Sequence, residues 1–246
     1  MPERRAHSHA CEDEARADLL ATALAIAGPC AQPGKFAGSA SLSLRWGRSG
    51  ADGLLITPSA WAGATATPDD IVWLALADDG PPRLGSPTQA SAQQEASAEW
   101  RLHCELYRRR KDVGAIIRSR PVFCTTLACL ARVHREGFPA FHPDLVQAGG
   151  GSLRCVDYAA SGAPPSAPAG APQPAEPQAL ERVVAALSAR AACLLAGRGL
   201  LVAGATLRAA ADATAELERL AQIYWQVLQV APEDAVLTNE SLGASI

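Results

Sequence analysis

The stretch ACLLAGRGLLVAG, residues 192–204, has the most regular pattern in the chain. Two short apolar runs flank a Gly-Arg-Gly sequence made of Gly197, Arg198 and Gly199. Short apolar runs bounded by turn residues are typical of buried strands. The stretch therefore predicts two buried strands joined by a turn that carries an arginine.

A second stretch, VGAIIRSRP at residues 113–121, predicts another buried strand over 113–119. Pro121 is well suited to the first turn of a helix, so we expect a helix over 121–131. Arg118 and Arg120 stand near the end of the strand, and alternate residues of a strand point to the same side. This spacing predicts two guanidinium groups on one side of the chain.

Outward from these stretches, hydrophobic periodicity predicts a mixed set of elements. The further predicted strands are 39–47, 53–58, 70–76 and 153–156. The further predicted helices are 12–26, 97–110, 180–190 and 207–229. Short connections between the first three strands indicate antiparallel neighbours.

Composition predicts an ordinary globular protein with reduced cysteines. The 246 residues are 48% hydrophobic and 19% charged, with a net charge of -3, which argues against nucleic-acid and membrane-surface binding. Seven scattered cysteines without a CxxC pair favour reduced, mostly buried thiols. Acidic residues follow the first arginines, which is unlike a secretion signal, so we expect a cytoplasmic protein.

The expected organisation is one domain over 12–232. Residues 1–11 are expected to be a disordered segment, and 233–246 a C-terminal tail. A Pro/Ala-rich run at 159–177 predicts a surface loop with little internal order.

Taken in order, the segments GSAS, LLITPSA, SAEWRLH, AIIRSRP, AGGGS and LLAGRGLLVAG resemble the class II aldolase/adducin family. The resemblance runs from about residue 15 to about residue 230 and implies a three-layer α/β/α domain with a mostly antiparallel central sheet. It also implies a cyclic homotetramer with sites at subunit interfaces. The family shows that one fold serves both catalytic and non-catalytic roles.

The family chemistry depends on a divalent ion held by three histidines, which acts as a Lewis acid in carbon–carbon cleavage. By the resemblance, two of these positions fall on Arg118 and Arg120 and the third on Arg198. Arginine has no lone pair to offer a metal, so we expect no metal cofactor here. The family's acid/base glutamate falls on Glu99, which is retained.

The phosphate-cradling segments of the family are only partly retained, at the hydroxyls Ser39, Ser59 and Ser97. Together with the arginines, these residues predict a site for a small anion such as a sugar phosphate or a carboxylate. The opposing interpretation is that each arginine turns to solvent or pairs with local acids. Glu99 likewise has a structural interpretation as a carboxylate in the first turn of a helix.

Three functions remain open. The first is a homologue without metal-dependent aldolase activity that binds a small anion or a partner. The second is a metal-independent lyase in which Glu99 moves a proton and the arginines stabilise a developing oxyanion. The third is a metal-dependent aldolase with other ligands, and the remaining candidate ligands are His103, Cys104, Cys124, His134 and His142.

Overall fold

The computed structural model describes residues 9–27, 40–48, 50–58, 66–76, 96–158 and 177–230. Within them the strands are β1 Ser41–Arg45, β2 Gly53–Ile56, β3 Val72–Ala75, β4 Ala115–Ser119, β5 Cys155–Val156, β6 Ala192–Leu195 and β7 Gly199–Gly204. The helices are α1 His9–Ala27, α2 Trp100–Arg109, α3 Val122–Ala128, α4 Ala131–Glu136, α5 Pro143–Gly149, α6 Pro177–Ala186 and α7 Leu207–Val230.

The strands form a seven-stranded sheet in the order β3-β2-β1-β4-β7-β6-β5. The pairs β1–β2, β2–β3 and β6–β7 are antiparallel, and β5–β6 is parallel. The predicted mixed α/β class with a mostly antiparallel sheet is therefore confirmed. None of the helices in the described ranges is long and apolar enough to span a bilayer.

The chain divides into two compact units, and the boundary falls inside β4. The first unit contains residues 1–116 and 205–207, and the second contains residues 117–204 and 208–246. The single domain predicted over 12–232 stays a prediction, as do the terminal segments. The Pro/Ala-rich loop at 159–177 lies almost entirely outside the described residues.

The first unit buries the inner residues of its antiparallel strands. Leu42 of β1 and Leu54 and Ile56 of β2 are fully buried, and so is Leu19 of α1, a helix that packs on β1. Burying such a side chain contributes about 1.5–3 kcal/mol relative to exposure. This packing fixes the position of β1, whose serine side chains hydrogen-bond to residues of α2.

A buried ion cluster attaches α1 to the rest of the first unit. Glu12 is 8% exposed and accepts hydrogen bonds from Arg16 at 2.9 Å and from Arg48 Nε at 2.8 Å. Arg16 also donates to the carbonyl of Ile71 at 2.5 Å. Burial alone would raise the pKa of Glu12. The hydrogen bonds and positive charges of Arg48 and Arg16 together outweigh burial, so the pKa lies below its ordinary value.

Glu12→Gln is expected to destabilise the protein by about 1–3 kcal/mol at neutral pH, because the buried Arg16 and the half-buried Arg48 lose their anion. The depressed folded-state pKa makes the Glu12 contribution complete above the ordinary value of 4.5 and lost as pH falls below it. Urea unfolding of wild type and variant from pH 7 to pH 3 measures this. The two stabilities should converge in acid, and a constant difference across that range would contradict the assignment.

The second unit is built on the β6–β7 hairpin. Leu194, Leu201 and Val202 in these strands are fully buried, and α3 packs against both of them. The long helix α7 contributes Leu217 and Tyr224 to the same core. The predicted strand–turn–strand over 192–204 is thus present with the Gly-Arg-Gly turn between its strands.

Some predicted elements in this unit were wrong in detail. The helix predicted over 121–131 ends earlier, at Ala128, and a separate helix begins at Ala131 after Leu130, whose backbone is extended with ψ of 126°. The strand predicted over 153–156 is shortened to β5. The prediction missed α5, although Pro143 at its start and the left-handed Gly150 after its end are helix start and stop signals.

Candidate functional site

The Gly197–Arg198–Gly199 turn is held firmly against the end of β4. Gly197 N donates to the carbonyl of Ala128 at 2.9 Å, and Arg198 N donates to the carbonyl of Leu195 at 2.8 Å. Gly199 has φ of 104°, and a Cβ placed there would lie 2.4 Å from the carbonyl oxygen of Ser119. Only glycine permits this approach of two backbones.

The same close approach brings the backbone next to Arg198 against the backbone of Arg120. A Cβ on Gly199 would lie 3.0 Å from the Cα of Arg120, so the residue that follows Arg198 contacts the segment that follows Arg118. The Gly-Arg-Gly turn and the end of β4, which carry the three arginines, therefore contact each other along the backbone in the second unit. The sequence could not show this contact, because about 80 residues separate its two sides.

The three arginine side chains differ in exposure. Arg118 is only 1% exposed and is among the largest fully buried side chains of the described residues. Arg198 is half-buried, and Arg120, which follows the last residue of β4, is exposed. Of the two interpretations of the arginines, turning to solvent describes Arg120 and does not describe Arg118.

Two buried hydroxyls lie at the same strand end. Ser119 Oγ and Thr125 Oγ1 are buried and have no hydrogen-bond partner among the described residues. Thr125 Oγ1 lies 3.2 Å from the position of a Cβ on Gly199. Hydroxyls that lack partners in a buried region are available donors, so they could bind an oxygen atom of an anion or a water molecule. Neither residue was predicted as a site residue from the sequence pattern.

The segment after Arg120 is fixed by a carboxylate from a distant helix. Glu218 of α7 accepts hydrogen bonds from Phe123 N and Cys124 N, both at 2.8 Å. Helix α3 needs this partner because Pro121 precedes it and offers no side-chain acceptor. Glu218 thus caps α3 and fixes the position of the chain that leads out of β4.

Glu218→Ala is expected to cost about 1–2 kcal/mol of stability, because two amide groups lose their charged acceptor. Hydrogen exchange at Phe123 and Cys124 should accelerate more than exchange in α2, which belongs to the other unit. Glu216→Ala is the matched control, since Glu216 is also on α7 but pairs with the exposed Arg219. Equal losses in the two variants would contradict the capping role.

Glu99 and Ser97 belong to the first unit. Ser97 is buried, its amide donates to the carbonyl of Thr57 at 3.0 Å, and its Oγ accepts from Glu99 N at 3.3 Å. Glu99 stands at the N-cap of α2 and is partly exposed. Its assigned acid/base role stays a prediction. Ser39 and Ser59 lie outside the described residues.

His103 occupies a structural position. It is fully buried, Ser43 Oγ lies 2.6 Å from its Nδ1, and Ser41 Oγ lies 3.3 Å from its Nε2. Ser43 also hydrogen-bonds the hydroxyl of Tyr107 at 2.9 Å. Both ring nitrogens therefore contact hydroxyls of β1, which leaves no nitrogen directed at a metal.

The described residues do not suit a divalent cation of the type the family uses. Three guanidiniums stand at the positions that the resemblance assigns to metal ligands, and they repel cations. No group of three or more His, Cys, Asp or Glu in the described ranges is arranged to hold a metal ion. Burial and the charge of Glu218 raise the pKa of Cys124, so its thiol is a poor ligand.

Comparisons with known proteins define the class. Residues 34–225 match the class II aldolase and adducin N-terminal domain. The 5-methylthioribulose-1-phosphate/5-deoxyribulose-1-phosphate aldolase of Rhodospirillum rubrum is 35% identical over 200 residues, which are 81% of this chain and 76% of that protein. The L-fuculose phosphate aldolase of Escherichia coli K12 is 31% identical over 192 residues, covering 78% of this chain and 77% of the relative.

The fold comparison agrees with the sequence comparison. A solved L-fuculose 1-phosphate aldolase superposes with a TM-score of 0.67 at 24% identity, covering 98% of this chain and 96% of that one. An α/β domain with this sheet and a hairpin turn against a strand end is therefore of the class II aldolase type. The chain belongs to the class II aldolase and adducin N-terminal domain family.

Proposed function

We propose that this chain binds a small oxyanion of the sugar-phosphate class at the arginine site and has lost metal-dependent aldolase activity. The arginine site comprises Arg118, Arg120 and Arg198 with the hydroxyl of Thr125, which lies beside Gly199. The observation that carries the proposal is the contact of the arginine turn with the end of β4 at Gly199. The ligand class rests on the relatives, whose names identify sugar phosphates as their substrates.

The chemistry of the side chains supports this proposal. A guanidinium presents a planar fork of donors that matches two oxygens of a phosphate or carboxylate. Half-buried Arg198 is better placed to bind than a fully solvated arginine, because water competes less there. Exposed Arg120 is accessible to a ligand from solvent. The Thr125 hydroxyl would then bind a remaining oxygen of the anion.

A thermal-shift titration tests the site. Inorganic phosphate and 5-deoxyribulose 1-phosphate should each raise the melting temperature, and Arg120→Ala and Arg198→Ala should each reduce the rise. Arg208→Ala is the matched control, because Arg208 is 90% exposed and pairs with Asp212 on α7. No rise with either anion would refute the proposal.

A second candidate is a metal-independent lyase, and the names of the relatives as aldolases favour it. In this candidate Glu99 transfers a proton while guanidiniums stabilise the negative charge that develops on a substrate oxygen. Cleavage of 5-deoxyribulose 1-phosphate by chelator-treated protein, abolished in a folded Glu99→Gln variant, would establish it. Cleavage that appears only with an added divalent ion would instead restore the metal-dependent aldolase with other ligands.

Assembly and location are parts of the same proposal. The resemblance suggests a homotetramer, and the protein is proposed to act in the cytoplasm. Light scattering of the purified chain distinguishes a tetramer from a monomer. A monomer that still binds phosphate would separate the arginine site from the assembly.

A further inference from the structure

The carbonyl of Ala128 connects the arginine turn to a pair of thiols. Ala128 is the last residue of α3, and its carbonyl oxygen accepts the hydrogen bond from Gly197 N at 2.9 Å. Cys155 of β5 directs its Sγ toward the same oxygen at 4.0 Å. One carbonyl therefore contacts both the turn that carries Arg198 and a buried thiol.

A second thiol is attached directly to this carbonyl. Cys129 is the next residue, and peptide geometry puts its Cα about 3 Å from the Ala128 oxygen. Cys129 is exposed, whereas Cys155 is buried. Burial, Asp157 and the nearby Cys129 raise the pKa of Cys155 to about 11. The two thiols thus form an exposed and a buried partner at one point of the fold.

Cys129 lies in a short connection between two helices. Cys129 N and Leu130 N donate to carbonyls only three residues back, at 3.1 Å and 3.0 Å, and Leu130 then has an extended backbone. This connection lies between α3 and α4 and belongs to neither helix. A disulfide requires Cα atoms about 4.4–6.8 Å apart, so small shifts of such a connection can decide whether it forms.

We infer that Cys129 and Cys155 are a redox modification site that closes to a disulfide when the protein meets a hydroperoxide. The Cys129 thiolate attacks one peroxide oxygen, the O–O bond breaks, and a sulfenic acid forms with release of hydroxide or of an alkoxide that takes a proton from water. Cys155 then gives up its proton and its sulfur attacks the sulfenic sulfur, the S–S bond forms, and the departing hydroxide takes that proton and leaves as water. Two thiols are oxidised by two electrons and the peroxide is reduced.

The disulfide reaches the arginine turn through Ala128. When Cys155 Sγ bonds to Cys129, it no longer donates to the Ala128 oxygen, and the end of α3 moves toward β5. The hydrogen bond from Gly197 then lengthens, which displaces the turn and Arg198. This consequence rests on the proposed anion site, and we expect oxidation to weaken phosphate binding by about fivefold.

Peptide mapping of the full chain after treatment with hydrogen peroxide tests the disulfide. A crosslinked peptide pair that contains Cys129 and Cys155 and has lost two hydrogen atoms is expected, and dithiothreitol should reverse it. Cys129→Ser and Cys155→Ala should each abolish the crosslink. Cys11→Ser is the matched control, because Cys11 is exposed on α1 and its loss should leave the crosslink intact.

The outcomes are separable. Sulfinic acid on Cys129 without a crosslink, or a crosslink to Cys193 in place of Cys155, would overturn the inference while leaving the anion site untouched. A crosslink with phosphate affinity unchanged would overturn the coupling through Ala128. Absence of phosphate binding in both the reduced and the oxidised protein would refute the proposed function alone, since the wild-type crosslink needs no anion.

Discussion

Gly199→Ala is expected to be among the most destabilising single substitutions in the second unit. Alanine at φ of 104° is strained at a cost of about 1–3 kcal/mol. Its Cβ would also lie 2.4 Å from the Ser119 carbonyl oxygen, which is backbone and cannot rotate away. The turn must therefore separate from the end of β4, and the arginine site is expected to lose its phosphate binding.

Gly197→Ala is the control within the same turn. Gly197 has φ of 62°, and a Cβ there would meet nothing within 4 Å, so alanine incurs only the left-handed backbone cost of about 1–2 kcal/mol. Urea unfolding and phosphate titration of both variants measure the difference. If Gly197→Ala were as damaging as Gly199→Ala, the close approach of the turn to β4 would not be the cause.

Arg118→Met is expected to have the largest effect on anion affinity with the fold intact. Methionine fills part of the buried volume but removes the charge, and a hydrogen bond to a charged group contributes about 1.5–3 kcal/mol. The dissociation constant for inorganic phosphate should rise by about 10- to 100-fold. Stability is expected to fall as well, because Arg118 has an interaction partner, and removing one member of a buried interaction leaves the other unpaired.

Isothermal titration calorimetry with inorganic phosphate measures the affinity of Arg118→Met, and circular dichroism checks its fold. Arg208→Met is the control for loss of one positive charge on the exposed surface of the same unit. If the two variants bind phosphate with the affinity of wild type, Arg118 serves the fold alone. Arg118 would then not belong to the arginine site.

The local sequence pattern was sufficient to predict most helices and strands and to recognise the family resemblance. The hairpin over 192–204 and the strand that ends near Arg118 follow from short apolar runs, and the order of the segments indicated the class II aldolase fold. The break at Leu130 was missed because its cause is the local backbone geometry, which hydrophobic spacing does not report. The helix α5 was missed although Pro143 and Gly150 signal its ends.

The details of the candidate site depend on contacts between distant parts of the chain. Glu218 caps α3 from 95 residues away, and nothing in its own neighbourhood in the sequence indicates this role. The hydroxyls of Ser119 and Thr125 become notable only because they are buried without partners among the described residues. The exposure of Arg120 likewise depends on where β4 ends. Such features require the fold before they can be recognised.

The most direct test of the central claim is calorimetric titration of the protein with 5-deoxyribulose 1-phosphate and with inorganic phosphate, each with and without EDTA. If guanidinium groups hold the anion, the affinity should be the same under both conditions and should fall in Arg118→Met and Arg198→Ala. Binding that disappears with EDTA and returns with added zinc would show that a metal ion, and not the arginine site, holds the ligand.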